Sequence, residues 1–252
     1  MKLKEIAEII EKEFPLSAAF EWDNCGILLG DGEAEINRVL ISLDVNNAVL
    51  KEAEKTGADM ILSHHPILFD GTKRVTAETP EGRLVMGLLK NNIAVYAAHT
   101  NCDVGTNGIN ARLSSLFGLC GAEPLEDSGL GRIGNLKTPL CFGDFAALTK
   151  KLLRTPFVRV CGDKTAEVSR IAVAGGACAD IIPEAVKKGA DVIVTGDMKY
   201  HDMINYSETG IFIIDAGHYP TEIIALDIFE DILKNSGLTL IKSENPDIFE
   251  FM

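Results

Sequence analysis

The residues with the clearest chemical meaning are two adjacent histidines, His64 and His65, set between the apolar run "DMILS" and Pro66. The chain has five histidines, and the other three also stand near the ends of β-type runs. His99 follows "IAVYAA", His201 comes four residues after Asp197, and His218 follows "IFIIDAG". A lone histidine at a strand end is more often a hydrogen-bonded loop residue than a ligand. Filler histidines should, however, also fall in mid-helix or in a connection, and none of these is expected there. Adjacent imidazoles in a loop can each face a different ion. Carboxylates recur beside them: Asp103 in "HTNCDVGTNGIN", Asp197 in "TGDMKYH", and Asp215 and Glu222 in "IFIIDAGHYPTE". Imidazole and carboxylate without thiolate suit Zn, Fe, Mn or Ni in a catalytic rather than a structural site. Three imidazoles with two carboxylates exceed the needs of one open ion, and a pair of ions ~3.5 to 4 Å apart uses them better.

Local pattern suggests how these groups are aimed. If the extended chain persists past "IAVYAA", His99, Asn101 and Asp103 point one way and Cys102 the other, which makes Cys102 a buried structural thiol rather than a nucleophile. Pro220 suits a first helical turn and biases its predecessor to extended backbone. That puts His218 in a loop and Glu222 in the first turn of a helix, with their side chains convergent. Asp197 and His201 read equally well as site residues and as a helix-start carboxylate with a capped histidine. Gly175 and Gly176 could offer amides to a phosphate, although a tight turn with close packing explains two glycines more simply.

These groups require a scaffold of strands whose ends collect together. Apolar residues Leu3, Ile6, Ile9, Ile10 and Phe14 recur at helical spacing up to Pro15. After them, β-type runs alternate with helical stretches: "RVLISLDV", a helix near 46–56, "DMILS", a helix near 81–91 and "IAVYAAH". The alternation returns in "SRIAVAGG", a helix near 180–188, "DVIVTGD", a helix near 200–207 and "IFIIDAGH". Such alternation predicts an α/β fold with mostly parallel, buried strands. Residues 35–65 laid over 167–197, a shift of 132 without a gap, match at nine of 31 positions, "GAD" and both strands included. The shared register favours internal duplication. It puts His64 and His65 opposite Gly196 and Asp197, at the strand ends where open α/β sheets gather functional groups. The expected organisation is two related α/β halves, 1–118 and 143–252, joined by a Gly- and Pro-richer connection at 119–142. The halves are expected to pack as one compact unit with a metal site between them.

Composition narrows the function. Hydrophobic residues make up 46% and charged residues 24%, ordinary for a soluble globular chain. A net charge of -13 works against nucleic acid and anionic membrane as partners. The opening "MKLKEIAEII" carries Glu5 and Glu8 within its apolar stretch and lacks a cleavage pattern, and no apolar run approaches the ~20 residues of a membrane span. Six cysteines without a CxxC pair read as reduced thiols, so a cytoplasmic setting is expected.

The ordered set "EWDNCGILLGD", "SLDV", "GADMILSHHPILFDG", "AAHTNCDVGTNGIN", "TGDMKYHD" and "DAGHYPTE" resembles the GTP cyclohydrolase I type 2, or NGG-interacting-factor-three-like, dinuclear-metal proteins over nearly the whole chain. The resemblance implies two divalent ions held by His64, His65, Asp103, His218 and Glu222, with Glu222 bridging. It also implies a toroidal homohexamer, here in the short form without an inserted domain. Cys102 departs from a commoner larger apolar residue, and "GGACAD" is a loose version of a more glycine-rich loop, which weakens the phosphate cradle. The family label implies a hydrolase acting on GTP. In any such hydrolase Asp197 or His201 is the expected proton carrier, just outside the metal shell. A phosphoesterase needs the same ions, and a non-catalytic metal-binding or regulatory scaffold is the alternative.

Overall fold

The computed structural model describes residues 1–69 and 71–249; Asp70, inside the quoted "GADMILSHHPILFDG", and residues 250–252 lie outside the described residues. The chain forms two compact units, Met1–Cys102 with Ala225–Ile248, and Asp103–Ile224.

The first unit opens with α1 (Leu3–Glu13), whose Leu3, Ile6, Ala7 and Ile10 are buried on one face; the helix ends just before Pro15, where the preceding residue is driven out of helical backbone. Strand β1 (Gly26–Leu29) and the series β2 (Arg38–Ser42), α2 (Asn47–Thr56), β3 (Met60–Ser63), α3 (Pro80–Lys90) and β4 (Ala94–Ala97) follow. The boundaries have local causes. Asn46 accepts from the Ala48 and Val49 amides to start α2, and Gly57, at φ 67°, ends it. Thr79 caps α3, with Pro80 at its first position. Every residue of β3 and β4 is buried, as expected for strands covered on both faces. Leu40, Ile61 and Val95 of the sheet pack with Val49, Leu50 and Ala53 of α2 and Leu84 and Leu88 of α3.

The chain continues through α4 (Thr100–Val104), which spans the boundary between the units. Then come α5 (Ile109–Leu116), β5 (Cys120–Pro124), β6 (Arg132–Cys141), α6 (Phe142–Leu152), β7 (Arg159–Cys161) and β8 (Glu167–Val173). The second unit closes with α7 (Ile182–Lys187), β9 (Val192–Thr195), α8 (Tyr200–Ser207), β10 (Phe212–Asp215) and α9 (His218–Glu222). Helix α10 (Ala225–Leu233) and β11 (Thr239–Lys242) belong to the first unit.

The first sheet has the order β1-β4-β3-β2-β11 and is parallel except for β1. The second has the order β5-β6-β8-β9-β10-β7, with β8, β9 and β10 parallel and the flanking pairs antiparallel. The fold is α/β, as the alternation predicts, and its parallel centres are β2-β3-β4 and β8-β9-β10. The duplication extends to hydrogen bonds. Asp59 Oδ2 accepts from the Asn37 and Arg38 amides at 2.8 and 2.9 Å, while Asp191 Oδ2 accepts from the Ser169 and Arg170 amides, both at 2.8 Å. Arg38 donates to Thr56 O and Arg170 to Lys188 O. Each of these positions is related to its twin by the same shift of 132.

The sequence-based boundaries differ from the observed ones in two places. Residues 119–142, expected as a connection, hold β5 and β6, an antiparallel pair at one edge of the second sheet. The division between the compact units falls at Cys102/Asp103, inside α4, and the first unit also takes in α10 and β11, the latter pairing with β2 in the first sheet.

Candidate metal centre

The first unit brings three imidazoles together where the parallel strands end. His64 and His65 follow β3 and His99 follows β4; their ring centroids are 4.9 Å (His64–His65), 5.0 Å (His64–His99) and 5.5 Å (His65–His99) apart. One ring nitrogen from each lies within 4.8 Å of the others, close enough for a shared ion. Each ring is pinned at the opposite nitrogen. His64 Nδ1 is 2.9 Å from Ala98 O, His65 Nδ1 is 2.8 Å from Asp44 Oδ1, and His99 Nδ1 is 2.8 Å from Asp23 Oδ1. A carbonyl or carboxylate oxygen accepts, so Nδ1 carries the proton and donates, and Nε2 is the nitrogen with the lone pair.

Asp23 organises this end of the first unit. Its fully buried carboxylate accepts from His99 Nδ1, the Thr100 amide, the Thr100 hydroxyl and the Cys25 thiol. Burial pushes this carboxyl up, but the hydrogen bonds from His99 and Thr100 outweigh it and hold the group well below the usual carboxylate range. The same carboxylate meets the first amide of α4, where a negative charge is favoured. Cys25 is pushed up to about 12, by burial first and by Asp23 as well, so it stays a thiol at neutral pH.

In the second unit, His218 and Glu222 stand four residues apart on α9 and share a face, with His218 Nε2 2.8 Å from Glu222 Oε2. His218 Nδ1 is 2.9 Å from Asp197 Oδ2, repeating the arrangement of the first unit. Asp197 has φ 52°, left-handed backbone that aspartate tolerates better than most residues. Asp215 holds the loops carrying this pair: it accepts from Arg159, from the Met198 amide at 3.0 Å and from the Gly217 amide at 3.0 Å. Gly176, at φ 68°, lies against the same pair; a Cβ there would stand 2.1 Å from Glu222 Oε1 and 3.3 Å from His218 Nε2. Asp103 is buried near the end of α4, its backbone carbonyl accepting from Asn110 Nδ2 at 3.0 Å. One carboxylate oxygen of Asp103 and one of Glu222 lie within 4.8 Å of each other. Burial raises the Cys178 thiol well above its ordinary range, and the negative charges of Asp103 and Glu222 add to this.

Several local expectations are corrected. The chain after His99 is helical rather than extended, because Asp23 caps α4, a long-range partner that strand parity could not reveal. Cys102 is nonetheless fully buried, as a structural thiol should be. His218 begins α9 instead of preceding it, and Pro220 is accommodated within the first turn, whose amides have no intrahelical acceptor. The Gly175 and Gly176 amides are taken by Asn110 Oδ1 and Thr221 Oγ1, so they form a packed turn and not a phosphate cradle. His201 lies exposed on α8 with its ring against Tyr200, and it joins none of the ion-holding groups among the described residues. No local signal in the sequence marks Asp23 and Asp44 as ring anchors or His99 as a neighbour of the double histidine. The first two sit in the quoted "EWDNCGILLGD" and "SLDV".

The donor set fits divalent metal ions. Lone-pair nitrogens of pinned imidazoles and buried carboxylates match the preference of such ions for nitrogen and oxygen ligands. The Nδ1 contacts are those that orient a metal-binding histidine and raise its basicity. No helix among the described residues is long and apolar enough to cross a membrane.

Comparison with known proteins identifies the family. The chain is 34% identical to a GTP cyclohydrolase 1 type 2 homolog of Clostridium perfringens, covering 100% of both chains. It is 36% identical to a protein of the same name from Methanocaldococcus jannaschii, over 94% of this chain and 96% of that one. Among solved structures, reduced HcgD from Methanocaldococcus jannaschii superposes with a TM-score of 0.86 at 36% identity, over 97% of this chain and 98% of that one. A Bacillus cereus protein related to NIF3 reaches a TM-score of 0.92 at 24% identity, over 100% and 99%, a likeness of fold. The family model for Duf34/NIF3 (NGG1p interacting factor 3) matches residues 1–247, and the chain belongs to that family.

Proposed function

We propose that the protein is a metal-dependent hydrolase that binds two divalent ions through His64, His65, Asp103, His218 and Glu222. The observation that carries this reading is that His64, His65, His99 and His218 each have Nδ1 held against an oxygen, with one ring nitrogen of His64, His65 and His99 gathered within 4.8 Å of one another and His218 Nε2 turned to Glu222.

When bound, such ions supply Lewis-acid activation of water and of the centre it attacks. The chain's own residues do the rest. Asp44 and Asp197 hold the His65 and His218 rings at fixed rotation. Glu222, nearly fully buried at the end of α9, would offer its two carboxylate oxygens to the bound ions. Asp197 is the proton carrier of this reading, supported by its contact with His218 Nδ1 at 2.9 Å, a contact to the metal-holding groups that His201 lacks among the described residues. Relatives named GTP cyclohydrolase 1 type 2 homologs make GTP the first substrate to test and phosphoesters the second. Assembly as a homohexamer belongs to the same reading.

Protein loaded with Mn, Fe or Zn should hold about two ions per chain and turn over a member of a GTP and phosphoester panel. Both properties should vanish in Asp103→Ala and Glu222→Ala. Turnover that survives both substitutions equally overturns the hydrolase. Stoichiometric ions that support assembly, with no turnover of any substrate, would point to a scaffold.

A further inference from the structure

Trp22 and Phe69 differ from the aromatic rings in the core of the first unit. Phe14, Tyr96 and Phe229 are fully buried, yet Trp22 is 60% and Phe69 45% exposed. They are not loosely placed. The Asp23 amide donates to Phe20 O at 2.9 Å and the Phe20 amide to Thr100 Oγ1 at 3.0 Å, which fixes the turn presenting Trp22. Asn24 Nδ2 donates to Leu68 O at 2.6 Å and ties that turn to the segment carrying Phe69. The two rings meet edge to face at 5.8 Å and 78°. Both also pack edge to face on His99, Trp22 at 6.2 Å and 75°, Phe69 at 6.0 Å and 76°. His99 in turn touches His64 and His65. An exposed, hydrogen-bond-braced aromatic pair therefore packs directly on one ring of the imidazole cluster.

We infer that Trp22 and Phe69 form a stacking platform for a flat heteroaromatic ring, the part of the substrate that is held beside the metal centre. The inference rests on the proposed centre and specifies its substrate class. An aliphatic ligand would call for a concave apolar lining. Here the Trp22 and Phe69 rings meet edge to face, Phe20 backs Trp22 at 5.6 Å, and Trp22 and Phe69 keep 60% and 45% of their surface exposed, which leaves aromatic surface for another ring to stack on. The braced turns mean that little ordering is required when a ligand arrives, as expected of a preformed subsite.

Trp22 is the chain's single tryptophan, so its fluorescence reports this surface alone. Metal-loaded protein is titrated with guanosine and adenosine, with ribose 5-phosphate as a ring-free control and choline as a cationic one. The nucleosides should quench and shift the emission, and both controls should not. Phe69→Ala, which keeps the reporter, should weaken nucleoside binding by about 5- to 50-fold. By calorimetry Trp22→Leu should lose binding by a similar factor, while Trp22→Phe retains most of it. Metal content should be unchanged in all three variants.

Equal responses to ribose 5-phosphate or choline overturn the inference. So does emission that shifts with protein concentration in the absence of ligand, which would mean a second copy covers the tryptophan. The two readings also fail separately. Stoichiometric metal with no nucleoside response removes the platform and leaves the centre; a nucleoside response in protein that takes up no metal does the reverse.

Discussion

The β2-β3-β4 and β8-β9-β10 regions are one construction used twice and finished differently. In both, an aspartate at the start of the second strand, Asp59 or Asp191, grips two amides of the first, and an arginine, Arg38 or Arg170, reaches the end of the intervening helix. These contacts set register far from the chemistry. At the opposite ends the halves diverge. The first has Asp44 after its first strand and His65 after its second; the equivalent positions of the other half are Gly176 and Asp197. In the first unit a carboxylate from the first strand's end orients an imidazole from the second's. In the second unit the second strand's end supplies the carboxylate and α9 the imidazole. What was kept is the framework of hydrogen bonds, and what changed is which element supplies the imidazole and which the carboxylate that orients it.

The largest test of that difference lies at Gly176. Gly176→Ala puts a methyl where Glu222 Oε1 stands and demands left-handed backbone of a residue with a Cβ. Bound metal measured after dialysis should fall by more than about 100-fold in affinity, since the change displaces a ligand and not merely its support. An unchanged metal content would mean that Glu222 is not a ligand.

The orienting carboxylates come next. Asp44→Ala and Asp197→Ala should each weaken metal binding by about 10- to 100-fold, because each frees one ring without removing a donor. Comparable losses would support equivalent roles in the two halves. A loss confined to Asp44→Ala would leave Asp197 as a proton carrier only, seen as a change in the pH profile of turnover.

A smaller effect, on stability, is expected at Asp23, which has no counterpart in the second half. Its folded carboxyl titrates below the unfolded value of about 3.9, so it stabilises the fold above that pH and loses this contribution as the pH falls. Asp23→Asn should lower unfolding free energy near neutral pH by about 1 to 3 kcal/mol and flatten the acid side of the stability curve, measured by urea denaturation. An acid limb as steep as before would assign the linkage to other carboxylates.

The smallest effect belongs to the shared framework. Asp59→Ala and Asp191→Ala should each cost about 1 kcal/mol with metal affinity unchanged, and by similar amounts if the halves are mechanically equivalent.

The legible parts of the sequence were those governed by local physics. Buried parallel strands are apolar throughout, their helices are capped by Asn46, Gly57 and Thr79, and the strand ends follow directly, so the residues past them could be named. What escaped depended on distant partners. Asp23 turns the chain after His99 into a helix from 77 residues away. The β5 and β6 strands carry Gly121, Gly134, Pro124 and Pro139, a composition that reads as a loop until neighbouring strands supply their hydrogen bonds. Strand β1 has four residues entered through Gly26 at φ 105°, too short for its alternation to register. Asp23 and Asp44 were visible as letters, but nothing local distinguishes a carboxylate that grips an imidazole from one that faces water.

The four pinned imidazoles differ in how they can be lost through mutation. Three depend on side chains, Asp23, Asp44 and Asp197, each of which a single nucleotide change can remove. The fourth, His64, is held by the main-chain carbonyl of Ala98, beside the point where the Ala98 amide reaches back to Ser63. No substitution deletes a carbonyl, so the orientation of His64 is inherited with the β3–β4 pairing itself. Within a drifting lineage it would be the last of the four to loosen, and variation in metal affinity among relatives should trace to the three aspartates.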